Sequence, residues 1–272
     1  MCNIYRVGMR AKMRLDGRIA IVTGGGQGIG RSIVLRLARE GAAVVIADIN
    51  EPGSRETAAL ARTDTGREPR VVPTNVAAED QVAHLAESTL AIDGRIDILV
   101  NNAGIPGPLK SLEDVTLEEW DETIAVNLRG MFLCCKHVLR SMKRQRGGSI
   151  VNISSMSGKR PLKQRTPYAA AKMAVIGLTR TLAAETGPWN IRVNAVCPGP
   201  VAGPRQDRVV ETIMKATGKT REEAIAERVA SFALGTFVQP EDVAAAVAFL
   251  CSSDACRMTG QDINVSQGTV IG

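Results

Sequence analysis

The sequence predicts an α/β chain folded as one doubly wound domain, a seven-stranded parallel sheet flanked by helices on both faces. Three observations carry that prediction. Short β-branched runs alternate with helix-length segments almost from end to end. Most of these runs are continuously apolar, without the period-two alternation of a half-exposed strand, as expected of strands covered on both faces. Strands that alternate with helices are joined by crossovers and therefore run parallel.

Taken in order, residues 1–13 (MCNIYRVGMRAKM) carry basic residues and no acid. They lack the apolar run of a secretory leader, so they read as a disordered arm, or as the result of a true start at Met13, ahead of a domain spanning 14–272. The strand candidates are Arg18–Thr23, Ala43–Asp48, Arg70–Val76, Ile96–Asn102, Ser149–Ser155, Ile191–Cys197 and Asp262–Val265. TLEE (Thr116–Glu119) and TREE (Thr220–Glu223) are capping boxes, in which threonine and glutamate satisfy orphan amides reciprocally at a helix start. In TPYAAAKMAV, Thr166 is expected to cap a helix whose first turn holds Pro167. QPEDVAAAVAFL opens with a proline and an acidic pair facing the positive end of the helix dipole. Residues 200–239 form an insertion whose segment TREEAIAERVASF is amphipathic, with Ala224, Ile225, Val229 and Phe232 inward. A lid is one reading of it and a rigid extra helix the other.

Composition excludes several classes. Apolar residues make 44% and charged residues 23%, the balance of a globular chain with a core. The net charge of +6 is spread among 28 acids, and aromatics are only 3%, so nucleic-acid binding by a basic, aromatic stripe is not expected. No run approaches the ~20 apolar residues of a membrane helix. Six cysteines without a CxxC pair and two histidines exclude a zinc pattern, and a reducing, cytoplasmic setting with buried thiols is expected. No metal site is expected.

The chemistry concentrates in a few stretches. TGGGQGIGRS follows the first strand and opens the first helix, with Gly24, Gly28 and Gly30 at the turn. Glycine permits positive φ there and lets a pyrophosphate approach bare amides at a helix N-terminus, the arrangement of a dinucleotide site. Asp48 closes the second strand where a ribose-binding acid is expected. Its charge would repel a 2′-phosphate at a cost of several kcal/mol, roughly a hundredfold or more in affinity. Ile49 follows it and Gln27, rather than an arginine, precedes Gly28, so NAD is favoured over NADP. Tyr168 and Lys172, at i and i+4, share a helix face. By itself that spacing also suits an amphipathic core tyrosine with a snorkelling lysine.

The series Gly24-x-x-x-Gly28-x-Gly30, NNAG (Asn101–Gly104), ISS thirteen residues before YAAAK, and CPG (Cys197–Gly199) resembles the short-chain dehydrogenase/reductase family from about Leu15 to the end. The resemblance implies a Rossmann domain and a catalytic set in which Tyr168 is general acid/base, Lys172 binds the nicotinamide ribose and lowers the tyrosine pKa, Ser155 bonds the reacting oxygen, and Asn127 bends its helix and holds a relay water. A phenol of pKa ~10 is a poor base at neutral pH, and a neighbouring ammonium favours the phenolate. The cofactor set comprises Gly24, Gln27, Gly28, Ile29, Gly30, Asp48, Ile49, Asn75, Val76, Asn101, Ala103, Gly104, Tyr168, Lys172, Pro198, Gly199 and Val201. Three departures stand out: Asn75 where relatives have Asp, Gly203 in place of a threonine that contacts the carboxamide, and NVSQG in place of VDGG.

The resemblance implies hydride transfer between NAD(H) and a secondary alcohol or ketone. An NADPH-dependent 3-oxoacyl thioester reductase is the alternative enzyme, and a noncatalytic NAD-binding redox sensor the alternative of another class. The substrate set is Ser155, Tyr168 and a cation. Among Lys159, Arg160, Lys163, Arg165, Arg205 and Arg208, the candidates to pair with an anionic substrate are Arg205 and Arg160; otherwise these cations form a solvated face. A homotetramer or homodimer is expected through segments 114–140 and 166–185.

Overall fold

The computed structural model describes residues 14–271, apart from the side chain of Arg205. The expectation for residues 1–13 lies outside the described residues.

β1 (Ile19–Thr23) is buried along its whole length, and α1 (Gly28–Arg39) turns Ile33, Val34, Leu37 and Ala38 inward. There follow β2 (Ala43–Asp48), α2 (Glu51–Thr65), β3 (Arg70–Pro73), α3 (Glu79–Asp93) and β4 (Ile98–Asn101). The second half comprises α4 (Leu117–Ile124), α5 (Gly130–Arg144), β5 (Gly148–Ile153), α6 (Thr166–Thr186) and β6 (Ile191–Pro198). It closes with α7 (Pro204–Thr217), α8 (Arg221–Val229), α9 (Pro240–Cys251) and β7 (Asp262–Val265). The seven strands pair in parallel in the order β3-β2-β1-β4-β5-β6-β7. Strand order reverses between β1 and β4, and the carboxyl ends of strands at such a switch point form the crevice where ligands bind in open α/β sheets.

Apolar side chains cover both faces. One cluster joins Val22, Val44 and Val100 to Ile33, Leu37, Ala58 and Val247 from α1, α2 and α9. The other joins Ile21, Val45 and Leu99 to Leu85, Val138 and Met142 from α3 and α5. The continuous apolar strands are explained by this double coverage.

Strand ends differ from expectation by a few residues. β3 stops at Pro73, because the Thr74 hydroxyl turns back to the Val72 carbonyl at 2.9 Å, leaving Asn75 and Val76 in a loop. β5 stops at Ile153, where the Ser154 hydroxyl turns to the Lys172 carbonyl at 2.7 Å. Both threonine capping boxes are present. Thr166, however, does not cap α6: Arg165 occupies the cap position without a capping bond from its side chain, and its carbonyl accepts from the Ala169 amide at 2.8 Å, the group a Thr166 cap would use. Pro167 does lie in the first turn.

At the amino edge of the sheet, the buried Asp97 carboxylate accepts from the Ile19 amide at 2.9 Å and from Arg18 and Arg95. Burial alone would raise its pKa; the bonds from Arg95, the Ile19 amide and Arg18 outweigh that and hold it below the usual carboxylate range.

The insertion leaves and rejoins the domain at one place. Val201 bridges Val238, with the Val238 amide donating to the Pro200 carbonyl at 3.0 Å and the Ala202 amide to the Val238 carbonyl at 2.8 Å. Ala224, Val229 and Phe232 are buried as expected, and Phe232 meets Phe237 edge to face.

Candidate active site

The glycine turn is built for close backbone approach. Gly24 has φ +67° and Gly28 φ +53°, values at which a side chain is strained. Gly30 lies so near that a Cβ there would stand 1.9 Å from the Gly24 carbonyl oxygen. α1 begins at Gln27 with no side-chain cap and no acid in its first turn, whereas α3, α4, α8 and α9 all carry acids there. Its orphan amides and positive dipole end are thus left to an anion, and this cradle fits a pyrophosphate.

Two side chains outside the expected set hold the turn. Asn102 donates to the carbonyls of Thr23 at 3.0 Å and Gly24 at 2.9 Å. The Thr23 hydroxyl accepts from the amides of Asn102 and Ala103, both at 3.0 Å. Arg31 adds a third brace, donating to the Gly26 carbonyl at 2.9 Å and pairing with Glu56. Asp48 accepts from the Gly26 amide through Oδ2 and the Asn50 amide through Oδ1, each at 2.9 Å. Each oxygen retains a lone pair for a ribose hydroxyl.

Tyr168 and Lys172 share one face of α6, the Lys172 Nζ 5.7 Å from the phenol ring centre. Lys172 is 4% exposed and donates to the Ile153 carbonyl at 2.9 Å. Burial pushes its pKa down, opposed by the charges of Tyr168 and Cys197. The Ser154 hydroxyl donates to the Lys172 carbonyl at 2.7 Å. Ser155 Oγ accepts from the Ser157 amide at 3.1 Å and donates to Ser157 Oγ at 3.2 Å.

Asn127 sits in a π-helical turn, Ala125–Arg129, between α4 and α5, where the Gly130 amide bonds five residues back to the Ala125 carbonyl. The fully buried side chain donates to the carbonyls of Ile105 and Thr123 and accepts from the Ile105 amide. Gly104 brings the elements together: a Cβ on it would stand 2.6 Å from Asn127 Oδ1 and 3.6 Å from Lys172 Nζ.

The remaining expected residues divide. Gly199 packs against Ser266 closely enough that a Cβ would meet its Cα at 2.8 Å, and Pro198 ends β6. Val201 is held in the bridge to Val238. Ile29 packs partly against the core and Ile49 is 77% exposed beyond Asp48. Asn75 Oδ1 accepts from the Ala77 amide at 2.9 Å, and Val76 is buried against Gly130. Asn101 is buried and ties β4 to β5 through Asn152 at 2.9 Å, while Ala103 presents its backbone at the glycine turn.

Of the cations considered as a solvated face, Arg160, Lys163 and Arg208 are exposed, Arg160 donating to the Thr269 carbonyl at 3.3 Å. Arg165 donates to the Pro106 carbonyl at 3.0 Å, and Lys159 departs from that face, drawn to β7. The side chain of Arg205, in the first turn of α7, lies outside the described residues. Among the described residues no cluster of His, Cys, Asp and Glu is placed to hold a metal, and no helix is long and apolar enough to cross a membrane.

Comparison with known proteins places this geometry among relatives. A family model described as enoyl-(acyl carrier protein) reductase matches residues 24–270. The chain is 41% identical over 257 residues to a short-chain dehydrogenase/reductase of Armillaria gallica, covering 94% of this chain and 97% of the relative. An NAD+-bound xylitol dehydrogenase structure superposes with TM-score 0.87 at 31% identity, covering 94% of this chain and all of the other. An actinorhodin polyketide ketoreductase structure with NADPH superposes with TM-score 0.86 at 35% identity, covering 93% and 97%.

Proposed function

Since the chain belongs to the short-chain dehydrogenase/reductase family, a family of oxidoreductases that bind nicotinamide cofactors, we propose that it is an NAD-dependent dehydrogenase of secondary alcohols, working reversibly on the matching ketones. The observation that carries the reading is the convergence of Tyr168, Lys172, Asn127 and the Ser155 turn at the carboxyl edge of the sheet, beside the glycine cradle.

Bound nicotinamide supplies the hydride acceptor; the protein supplies position and proton. Gly24, Gly28 and Gly30 with the first amides of α1 hold the pyrophosphate, and Asp48 takes the adenosine ribose. Ser155, turning its hydroxyl away from Ser157, donates to the alcohol oxygen, and the Tyr168 phenolate accepts the alcohol proton to become a phenol. The Lys172 ammonium stabilises that phenolate before the transfer. Asn127 fixes the helix turn through which the proton passes onward by water.

The choice of NAD over NADP rests on Asp48. Arg31, whose guanidinium reaches the Gly26 carbonyl of the turn, is engaged by it and by Glu56 and is not offered to a 2′-phosphate. The engagement of Arg31 favours the NAD reading over NADPH-dependent ketone reduction, to which the ketoreductase superposition otherwise points.

Exposed apolar side chains beside α4–α6, namely Leu109, Leu112, Leu117, Phe132 and Met173, support assembly into a homodimer or homotetramer. Light scattering that finds only monomer removes that part. The activity is tested by screening secondary alcohols and polyols with NAD+ and following NADH absorbance. Turnover that survives Tyr168→Phe unchanged overturns the catalytic reading.

A further inference from the structure

Lys159 follows the single 3₁₀ turn Met156–Gly158 that leads out of Ser155, and its side chain is 15% exposed. Its Nζ reaches three oxygens of β7: Asp262 Oδ2 at 2.6 Å, the Asp262 carbonyl at 2.9 Å and Asn264 Oδ1 at 2.7 Å. An ammonium has three N–H donors, so all are used. Lysine is ordinarily a flexible, strongly hydrated point charge; here a four-carbon stem is fixed at both ends.

The far end of the tether is itself held. Asp262 accepts from Arg180 of α6 on its other oxygen, at 2.7 and 3.1 Å. Asp262 and Asn264 pair with Ala195 and Cys197 of β6 in the sheet. The near end carries the Ser155 turn, whose opposite side rests on α6: a Cβ on Gly158 would stand 2.9 Å from the Lys172 carbonyl carbon. The turn is therefore gripped from two sides, by the backbone of Lys172 and by the ammonium of Lys159. The contact to α6 limits approach in one direction only, and the Lys159 tether supplies the opposing pull.

We infer that Lys159, anchored by Asp262 and Asn264, is a positioning residue that sets where the Ser155 hydroxyl stands, without itself touching substrate or cofactor. The inference rests on the reading that Ser155 donates to the reacting oxygen. A displacement of about 1 Å at a reacting group can cost about a hundredfold in rate, so a partial loss of position gives a fraction of that.

The test is a kinetic cycle on the full chain with an alcohol that the wild type turns over. Lys159→Met keeps the stem and removes the donors, and is expected to lower kcat about tenfold while NAD+ affinity, read by calorimetry, stays within about twofold. Lys159→Arg restores donors and is expected to recover most of the loss. In a Ser155→Ala background, whose residual turnover is read at high enzyme concentration, adding Lys159→Met is expected to cost less than about twofold, because the group it positions is gone. An unchanged kcat in Lys159→Met, an equal penalty with and without the Ser155 hydroxyl, or a parallel fall in NAD+ affinity overturns the inference. If Lys159→Met fails to fold, Asp262→Asn and Lys159→Arg are read against the same cycle. An unchanged kcat in Ser155→Ala alone removes the catalytic reading of that serine, and this inference falls with it; a penalty in Ser155→Ala with none in Lys159→Met removes the strut alone.

Discussion

Lys172 stands one turn beyond Tyr168 on α6, its ammonium 5.7 Å from the phenol ring and bonded to the Ile153 carbonyl at 2.9 Å. Burial pushes its pKa down, against the pull of Tyr168 and Cys197. Tyr168→Phe is expected to lower kcat by roughly 10²- to 10⁴-fold with little change in NAD+ affinity, because only the proton acceptor is lost. Lys172→Met is expected to abolish most turnover and yet to melt higher at neutral pH, a gain of about 1 kcal/mol or roughly 2–4 °C. The sign follows from linkage. With the folded pKa below the unfolded value of about 10.4, the unfolded chain binds the proton more readily between the two, and wild-type stability rises with pH across that window. The gap between the proteins should therefore narrow toward alkaline pH, and scanning calorimetry from neutral to alkaline pH checks it.

Two glycines of the turn make different demands. Gly30→Ala forces a Cβ to within 1.9 Å of the Gly24 carbonyl and is expected to cost about 1–3 kcal/mol by overpacking, with NAD+ affinity falling tenfold or more as the cradle shifts. Gly28→Ala has open space around it and only its φ of +53° to resist, so about 1 kcal/mol is expected. Urea unfolding and calorimetric NAD+ titration of both variants check the ranking.

Asp48→Asn keeps an acceptor for only one of the Gly26 and Asn50 amides, which bond to separate carboxylate oxygens, and removes the charge. Stability is expected to fall by about 1–3 kcal/mol through the unpaired amide, while the NAD+ to NADP+ ratio of kcat/KM falls by roughly a hundredfold. Parallel assays with the two cofactors measure it.

Asp97 contributes to the acid limb of stability. Its folded pKa is lowered, so its contribution is present above the unfolded value of about 3.9 and is lost as pH falls through the folded value. Asp97→Asn is expected to be less stable at neutral pH by about 2 kcal/mol, the scale of bonds to a charged group, and to show a flatter decline below about pH 4. Urea midpoints from pH 3 to 7 decide between this and an unchanged slope.

The fold was legible because double coverage leaves its mark in continuous apolar strands, and Tyr168 with Lys172 because i,i+4 spacing is local. Legibility stopped where a side chain's partner is distant. Nothing around Lys159 signals that Asp262, 103 residues on, will hold it. Asn102 lies between two expected residues, yet only the folded turn shows its amide bracing Gly24. Thr166 looked like a cap because the local pattern suits one, and lost the place to a competing backbone bond from Arg165. Asn101, expected in the cofactor set, ties β4 to β5 through Asn152, 51 residues on, a pairing visible only in the folded sheet.

The meeting of Val201 with Val238 gives residues 202–237 the status of an exchangeable cassette. Both ends of the excursion are stapled to each other, and within it Ala233 and Leu234 meet Gly268 and Gln267, so length can change between residue 202 and those contacts, each doubling of the path adding only about 0.6 kcal/mol of closure entropy. The glycine turn, Asp48 and the Tyr168–Lys172 pair lie outside that excursion and keep their places whatever its length.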